Sequence, residues 1–343
     1  RVLLDRGHRV RACVRNAGDP KADFLRRFPG FYTGRLTLHS CDMTRQGAFD
    51  DAFAGCDAVV HAAADPDVPL EAREEEYQSN CRLILESIGR SPTVTRVIYT
   101  SSAAAIAGDD DILEYRSRPV IDESRYPRTC DGGSRPNGYV LGKLACEKLF
   151  FAAASASRGR WEAIVANPSD NIGPVLSKHQ VDSRLAWKPW HTTITNILEG
   201  RDFPQNYGLR PWWTVDVRDT AEAHVRLLES ANPVAWHRYF VCSTESIAVE
   251  DLGSFIAELL PEAGLDPSTA PHALEAGGLP EEEVRRVWAA CRLRNDKVRE
   301  ETGMVFRPLS MSLRDCVESL IAVAGIRPRL RTPEPEAKRP RTS

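Results

Sequence analysis

Along the first half of the chain, some stretches have apolar residues spaced as in strands and others have them spaced as in helices. The order of these stretches predicts an α/β fold. The stretch 10–15 alternates apolar and polar residues, and 96–100 is rich in β-branched and aromatic ones, which is typical of strands. The stretch 58–64 is apolar almost throughout, as expected of a parallel strand buried on both faces. Longer stretches with helical periodicity separate these strands. This alternation indicates an open parallel sheet with connecting helices.

The same patterns divide the chain into three parts. We expect a parallel-sheet domain over residues 1–170, a smaller and mostly helical lid over 171–326 with some segments that return to the sheet, and a disordered tail over 327–343, which has almost no apolar residues. The predicted strands span 10–15, 36–41, 58–64, 96–100, 161–166 and 239–241. The predicted helices span 24–28, 49–54, 74–88, 249–260, 281–290, 295–301 and 312–324, together with one capped by Asn137 that ends near 155 and one capped by Asp219 that ends near 230.

Composition narrows the possible classes of function. The 343 residues are 42% hydrophobic and 27% charged, with a net charge of -3 that gives no reason to expect a nucleic-acid or membrane partner. The nine cysteines are scattered singly without a C-x-x-C pair, and the eight histidines form no cluster, so we expect reduced thiols and no metal. No apolar run approaches the roughly 20 residues of a membrane span. A soluble, cytoplasmic protein is expected.

Tyr139 and Lys143 are the first candidates for chemistry. Residues four apart lie on one face of a helix, one above the other. A free tyrosine titrates near about 10, and a cation beside the phenol lowers that pKa and makes it a usable general acid or base. The spacing also occurs on ordinary amphipathic helices, so its surroundings decide the interpretation.

Those surroundings are polar or small residues at the ends of predicted strands. In open parallel sheets, ligands bind outside the carboxyl ends of the strands. The residues that fall at such ends are Arg15, Asp42, Ala62, Ala63, Ala64, Ser102, Asn167 and Pro168. We therefore expect a ligand site at this edge of the sheet.

Seven short motifs occur in an order that resembles a known family. They are 7–11 leading into 14–15, 41–43, 60–63, 99–102, Tyr139 with Lys143, 167–169 with 173–174, and 215–219. Over about residues 1–325 the chain resembles the extended short-chain dehydrogenase/reductases, most closely the dihydroflavonol reductase and cinnamoyl-CoA reductase group. The resemblance implies a Rossmann-type doubly wound parallel sheet, with residues 1–170 binding a dinucleotide and the lid binding substrate.

The resemblance also implies a catalytic set. By motif position the family's Ser, Tyr and Lys correspond to Ser102, Tyr139 and Lys143, with Ser101 the less favoured serine. Hydride addition builds negative charge on a carbonyl oxygen, which hydroxyl donors aimed at it stabilise. The expected substrate is a small ketone, aldehyde or alcohol.

Cofactor choice is expected at the end of the strand 10–15. An acidic residue there selects NAD, whereas an arginine accommodates the 2′-phosphate of NADP, so Arg15 predicts a preference for NADP(H) over NAD(H), with Lys21 as a second cation. The resemblance implies that Asp42 and Met43 contact the adenine. It likewise implies that Ala62, Ala63 and Ala64 let the backbone approach the cofactor, and that Asn167 and Pro168 lie beside the nicotinamide, whose ribose Lys143 contacts.

The chain departs from the family in one respect. The glycine-rich turn T-G-x-x-G-x-x-G, which binds the pyrophosphate between the first strand and the first helix, does not occur in this sequence. We expect that turn and the first strand upstream of Arg1. Without them, tight dinucleotide binding and independent folding of this chain are in question.

Other interpretations stay open. A sugar-nucleotide epimerase or dehydratase, or a 3β-hydroxysteroid-type dehydrogenase, uses the same scaffold, although epimerases usually carry an acidic residue where this chain has Arg15. A dinucleotide-binding relative without turnover is a third candidate. The resemblance also implies homodimers. An apolar or aromatic substrate is suggested by the aromatic residues Trp187, Trp190, Phe203, Tyr207, Trp212 and Trp213, which are equally common in protein cores.

Overall fold

The computed structural model describes residues 1–65, 67–107, 112–127, 137–181, 190–201, 211–231, 238–267 and 279–331. Trp187, Phe203, Tyr207 and residues 332–343 of the expected tail lie outside these ranges.

The strands of the described residues are paired in parallel within every sheet. The largest sheet has the order β3-β4-β6-β9, and β1-β2, β7-β8 and β5-β10 form separate pairs. The bounds are β1 Val10–Val14, β2 Leu36–Ser40, β3 Ala58–His61, β4 Arg96–Thr100, β5 Val120–Ile121, β6 Glu162–Pro168, β7 Asp170–Ile172, β8 Thr214–Asp216, β9 Arg238–Val241 and β10 Arg292–Leu293. Each predicted strand is present, with β3 shorter and β6 longer than the apolar runs suggested.

Helices connect the strands and cover both faces of the largest sheet. Their bounds are α1 Val2–Asp5, α2 Asp23–Arg26, α3 Pro29–Tyr32, α4 Asp50–Phe53, α5 Arg73–Arg90, α6 Ile112–Ser117, α7 Gly138–Ala156, α8 Trp190–Leu198, α9 Val217–Glu229, α10 Leu252–Leu259, α11 Glu281–Ala290, α12 Asp296–Thr302 and α13 Leu309–Ala322. Within the described ranges, no helix is both long and apolar enough to cross a membrane.

The central strand β4 shows why both faces are covered. Side chains alternate across a strand, so Val97 and Tyr99 point to one face and Ile98 to the other. Val97 and Tyr99 join a buried cluster with residues of α5 and α7. Ile98 joins a second cluster with residues of α9 and α12. Helices on both faces of a parallel sheet confirm the doubly wound α/β fold expected from the sequence.

A gap separates the pair β1-β2 from the four-stranded sheet. In the described part of the chain, β1 pairs with β2 alone and β3 with β4 alone. A cavity of about 1380 Å³ lies between β1 and β3 and is lined by residues of both strands. The ion pair between Arg15 Nη2 and Asp65 Oδ2, 2.7 Å long, joins the segments that follow these two strands.

The lid region has a hydrophobic core of its own. Apolar residues of α8, α10 and α13 pack together there with the buried Trp212. Beyond α13, Leu330 pairs with Leu265, and the Arg329 amide donates to the Leu198 carbonyl over 2.7 Å. Main-chain bonds therefore hold residues 329–330 against α8 and the segment at 265.

The predicted cap at Asp219 is wrong by one turn. Asp216, at the end of β8, accepts a hydrogen bond from the Arg218 amide over 2.8 Å and is the N-cap of α9. Asp219 lies in the first turn of the helix, where its buried carboxylate instead accepts from the Arg307 amide and pairs with the Arg307 guanidinium. Asp216 is favoured because the strand ends there with extended backbone, which a cap requires.

Candidate active site

The helix α7 presents Tyr139 and Lys143, and its start is fixed by local bonds. Asn137 Oδ1 accepts hydrogen bonds from the amides of Tyr139 and Val140, at 3.0 and 3.1 Å, which confirms the predicted cap. The helix packs closely on α5. A Cβ atom at Gly142 would lie 2.9 Å from the Arg73 carbonyl oxygen, so only glycine permits this approach.

Lys143 is buried at the carboxyl end of β4. Its side chain is 5% exposed, and Nζ donates to the Thr100 carbonyl over 3.0 Å. Nζ also lies 5.8 Å from the centroid of the Tyr139 ring and 5.4 Å from that of Tyr99. Burial lowers the pKa of Lys143, while the neighbouring Cys146, Cys81 and Glu147 act in the opposite direction. The ammonium is therefore held beside Tyr139 by a carbonyl and aromatic faces.

Two residues of α5 complete the surroundings of Tyr139. The Tyr77 ring meets the Tyr139 ring edge to face at 6.3 Å, and the Arg73 guanidinium carbon lies 6.0 Å from the Tyr139 centroid. Burial raises the pKa of Tyr77 to about 12 and raises that of Tyr99 as well. These two phenols therefore stay protonated at neutral pH. Lys143 Nζ lies 5.9 Å from the centroid of the Tyr77 ring, so Tyr139 shares this cation with Tyr77 and Tyr99.

The two serines that follow β4 have different surroundings. Ser101 is 3% exposed and donates to Glu147 Oε1 over 2.5 Å. Ser102 is half-buried, and its Oγ accepts from the Ala104 amide over 3.1 Å. Because the Ser102 hydroxyl is the acceptor in that bond, its proton is available for a ligand oxygen. The Ser101 hydroxyl is thus engaged with Glu147, whereas the Ser102 hydroxyl accepts a bond from the main chain.

Five of the residues expected to contact cofactor line the cavity between β1 and β3. They are Arg15, Lys21, Met43, Ala62 and Ala63. Ala64 packs instead against the hydrophobic cluster beneath.

The remaining expected cofactor residues have local partners. Asp42 Oδ1 accepts from both the amide and the hydroxyl of Thr44, at 3.0 and 2.8 Å, and these bonds lower its pKa. Asn167 is fully buried, as is Pro168 beside it. Asn167 Nδ2 donates to the Ser102 carbonyl at 3.1 Å and to Glu147 Oε1 at 2.8 Å. The Asn167 side chain therefore faces the segment 100–105, which we call the serine loop.

Of the lid aromatic residues that suggested an apolar substrate, the three that the structure describes, Trp190, Trp212 and Trp213, pack in hydrophobic cores. Trp212 and Trp213 are 1% and 5% exposed. Trp190 packs on Trp212 with ring centroids 4.5 Å apart, and Trp213 meets Tyr115 at 5.6 Å. These three side chains are accounted for by packing.

Sequence reasoning missed four residues around the site. Arg73 and Tyr77 approach Tyr139 from another helix, and their spacing of four on α5 gave no sign of that partner. Glu147 and Arg238 form a buried ion pair beneath the serine loop. Glu147 continues the spacing of Tyr139 and Lys143 by one further turn, which is the signal that could have identified it. Across the described ranges, no cluster of His, Cys, Asp or Glu side chains could hold a metal ion.

Comparison with known proteins gives consistent matches. A family model, the NAD dependent epimerase/dehydratase family, matches residues 1–242. The cinnamoyl-CoA reductase CAD2 of Medicago truncatula is 29% identical over 337 residues, which cover 93% of this chain and 90% of that protein. The dihydroflavonol 4-reductase of Callistephus chinensis is 30% identical over 269 residues, covering 76% and 68% respectively. The yeast methylglyoxal/isovaleraldehyde reductase Gre2, complexed with NADPH, matches with a TM-score of 0.72 at 20% identity over 94% of each chain.

A parallel sheet with helices on both faces and a polar cluster outside its strand ends defines a Rossmann-type α/β enzyme. The chain belongs to the NAD-dependent epimerase/dehydratase family. Within it, the chain is an oxidoreductase of the extended short-chain dehydrogenase/reductase group, as the motifs had indicated.

Proposed function

We propose that the protein reduces a ketone or aldehyde of a small, apolar or aromatic substrate, using NADPH and the side chains of Ser102, Tyr139 and Lys143. The observation that carries this proposal is the bond from Lys143 Nζ to the Thr100 carbonyl, 3.0 Å long. It joins the helix of Tyr139 to the end of β4, two residues before Ser102. This bond supports a site at the edge of the sheet where such folds bind ligands.

The chemistry follows from what these groups can donate. When bound, the nicotinamide supplies the hydride. Ser102 and Tyr139 donate hydrogen bonds to the carbonyl oxygen, which stabilises the negative charge that builds there. Tyr139 then transfers its phenolic proton to that oxygen. Lys143 and Arg73, with their positive charges near the Tyr139 ring, favour the phenolate that remains.

Two cations near the carboxyl end of β1 support the cofactor assignment. Arg15, whose side chain is 64% exposed and pairs with Asp65, follows β1 directly, and Lys21 comes six residues later. Guanidinium and ammonium groups suit the 2′-phosphate of NADPH. Ala62 and Ala63 follow β3 directly, and their small side chains suit close approach of a ligand to the backbone. The Gre2 relative is itself complexed with NADPH. The glycine-rich turn does not occur in this sequence, so we assign no residue to the pyrophosphate.

An NADPH oxidation assay tests the proposal. Full-length protein is offered a panel of aromatic aldehydes and ketones, and the wild type is compared with Tyr139→Phe. We expect turnover of some carbonyls, reduced by about 100-fold or more in Tyr139→Phe, since general acid catalysis contributes about 10²–10⁴. Tyr32→Phe is the matched control, because Tyr32 is 80% exposed on α3. Activity that survives in Tyr139→Phe would contradict the mechanism. Conversion of a nucleotide sugar without net NADPH oxidation would favour the epimerase alternative.

A further inference from the structure

The face of α7 that carries Tyr139 and Lys143 continues to Glu147, one turn further. Glu147 is 2% exposed, and three polar groups surround its carboxylate. Oε1 accepts from the Ser101 hydroxyl at 2.5 Å and from Asn167 Nδ2 at 2.8 Å. Oε2 forms an ion pair with Arg238 Nε at 2.8 Å. A buried carboxylate needs such partners, because burial of an uncompensated charge is costly.

Arg238, on β9, extends this cluster to the other side of the serine loop. It is 5% exposed, and its Nη2 donates to the Ala105 carbonyl over 2.6 Å. Its Nη1 donates to the carbonyls of Glu123 and Arg125, at 3.0 and 2.8 Å. Its charge is balanced by Glu147 alone among these contacts, since the others are neutral carbonyl groups. The Glu147–Arg238 pair therefore links α7, β9 and the loop into one unit.

Side chains hold the loop from Thr100 to Ala105 at four points, in addition to the main-chain bond from the Ser101 amide to the Ala166 carbonyl, 2.7 Å long. Lys143 binds the Thr100 carbonyl, and Glu147 binds the Ser101 hydroxyl. Asn167, itself held by Glu147, binds the Ser102 carbonyl. Arg238, paired with Glu147, binds the Ala105 carbonyl. Three of the four points thus depend on one carboxylate.

We propose that Glu147, through its ion pair with Arg238, is a positioning residue that fixes the Ser102 hydroxyl relative to Tyr139. The inference rests on the proposed function, in which both hydroxyls must reach one carbonyl oxygen. Glu147 does not itself contact substrate or cofactor. A glutamine would keep the shape of Glu147 but not its charge. Its NH2 group would face either Arg238 or the donors of Ser101 and Asn167, so one donor would face another without a hydrogen bond. The loop would then lose part of its support.

The test separates positioning from general stability. In full-length Glu147→Gln, we expect kcat to fall by about 100-fold, the cost of displacing a reacting group by about 1 Å, with the KM for NADPH within about twofold of wild type. Amide hydrogen exchange of residues 101–107 should become faster. Asp219→Asn is the matched control, because it neutralises another buried carboxylate paired with an arginine, Arg307, away from the serine loop. It should lower stability without lowering kcat.

A double variant guards against simple misfolding. Glu147→Gln with Arg238→Gln removes both charges, so no uncompensated cation is buried, and we expect its thermal midpoint to recover toward wild type. Its kcat should stay low and its loop exchange fast. Recovery of kcat together with stability would overturn the proposal, as would an unchanged exchange rate at 101–107 in Glu147→Gln. The exchange comparison needs no turnover. If residues 101–107 exchange faster in Glu147→Gln than in wild type, but the wild type reduces no carbonyl, the proposed function is refuted and the structural role of Glu147 is not.

Discussion

Replacement of Lys143 by methionine separates the catalytic contribution of this residue from its effect on stability. Nζ lies 5.8 Å from the centroid of the Tyr139 ring. With an effective dielectric constant of about 20, a charge at about 6 Å from the phenolate is worth about 3 kcal/mol. Each 1.36 kcal/mol is a factor of ten in rate, so kcat should fall by about 100-fold in Lys143→Met.

Stability should respond differently from activity. Methionine fills nearly the same volume and removes the cost of burying an ammonium group, which favours the folded state. The Thr100 carbonyl loses its partner, which costs about 1–3 kcal/mol. These effects oppose each other, and we expect the free energy of unfolding to change by no more than about 1–2 kcal/mol. A protein of nearly normal stability and greatly reduced kcat is the predicted combination.

Steady-state NADPH oxidation and urea unfolding measure the two quantities. Lys297→Met is the matched control, because Lys297 Nζ also donates to a carbonyl, that of Arg238 at 3.0 Å, and lies 4.2 Å from the centroid of the Tyr239 ring. It should leave kcat almost unchanged. A Lys143→Met protein that retains kcat within about threefold of wild type would refute the electrostatic reasoning, since about 3 kcal/mol was assigned to the charge.

Three further changes test other parts of the account. Gly142→Ala places a Cβ 2.9 Å from the Arg73 carbonyl oxygen, so the free energy of unfolding measured by urea titration should fall by about 1–2 kcal/mol. Equal or higher stability would show that α5 and α7 can separate without cost. Burial lowers the pKa of His61 to about 3 from 6.5. The unfolded chain therefore binds more protons than the folded chain below pH 6.5, and stability is lost as the pH falls. In His61→Phe, the loss of unfolding free energy between pH 7 and pH 5 should be smaller by about 2 kcal/mol. A variant whose stability falls with pH in parallel with wild type would contradict this. Arg15→Asp should lower kcat/KM for NADPH by about 10- to 100-fold and spare NADH, because charged hydrogen bonds are worth about 1.5–3 kcal/mol; an unchanged ratio would remove Arg15 from cofactor selection.

Local patterns predicted the elements that carry the candidate site. The strand at 96–100 has the predicted bounds, and α7 begins at the predicted cap, because apolar periodicity and a capping side chain act over a few residues. The relative placement of Tyr139 and Lys143 followed from helical geometry alone. These features needed no knowledge of the rest of the chain.

Contacts between distant segments could not be predicted in the same way. Nothing near Glu147 indicates Arg238, which reaches it from another strand across the sheet. Asp216 and Asp219 are both good capping residues, and the choice depends on where β8 ends. Trp212 was a candidate substrate contact by composition, yet packing of the lid helices buries it. In each case the partner is set by tertiary packing, which a local pattern does not contain.

Transfer of deuterium from NADPH that carries deuterium at both C4 positions to a carbonyl substrate tests the central claim most directly. Full-length wild-type protein and Tyr139→Phe are compared under single-turnover conditions, with NADPH affinity measured separately by fluorescence. The account predicts that wild type places deuterium on the former carbonyl carbon, and that Tyr139→Phe binds NADPH normally but transfers the label about 100-fold or more slowly. Equal transfer rates in the two proteins, or product without the label, would contradict it.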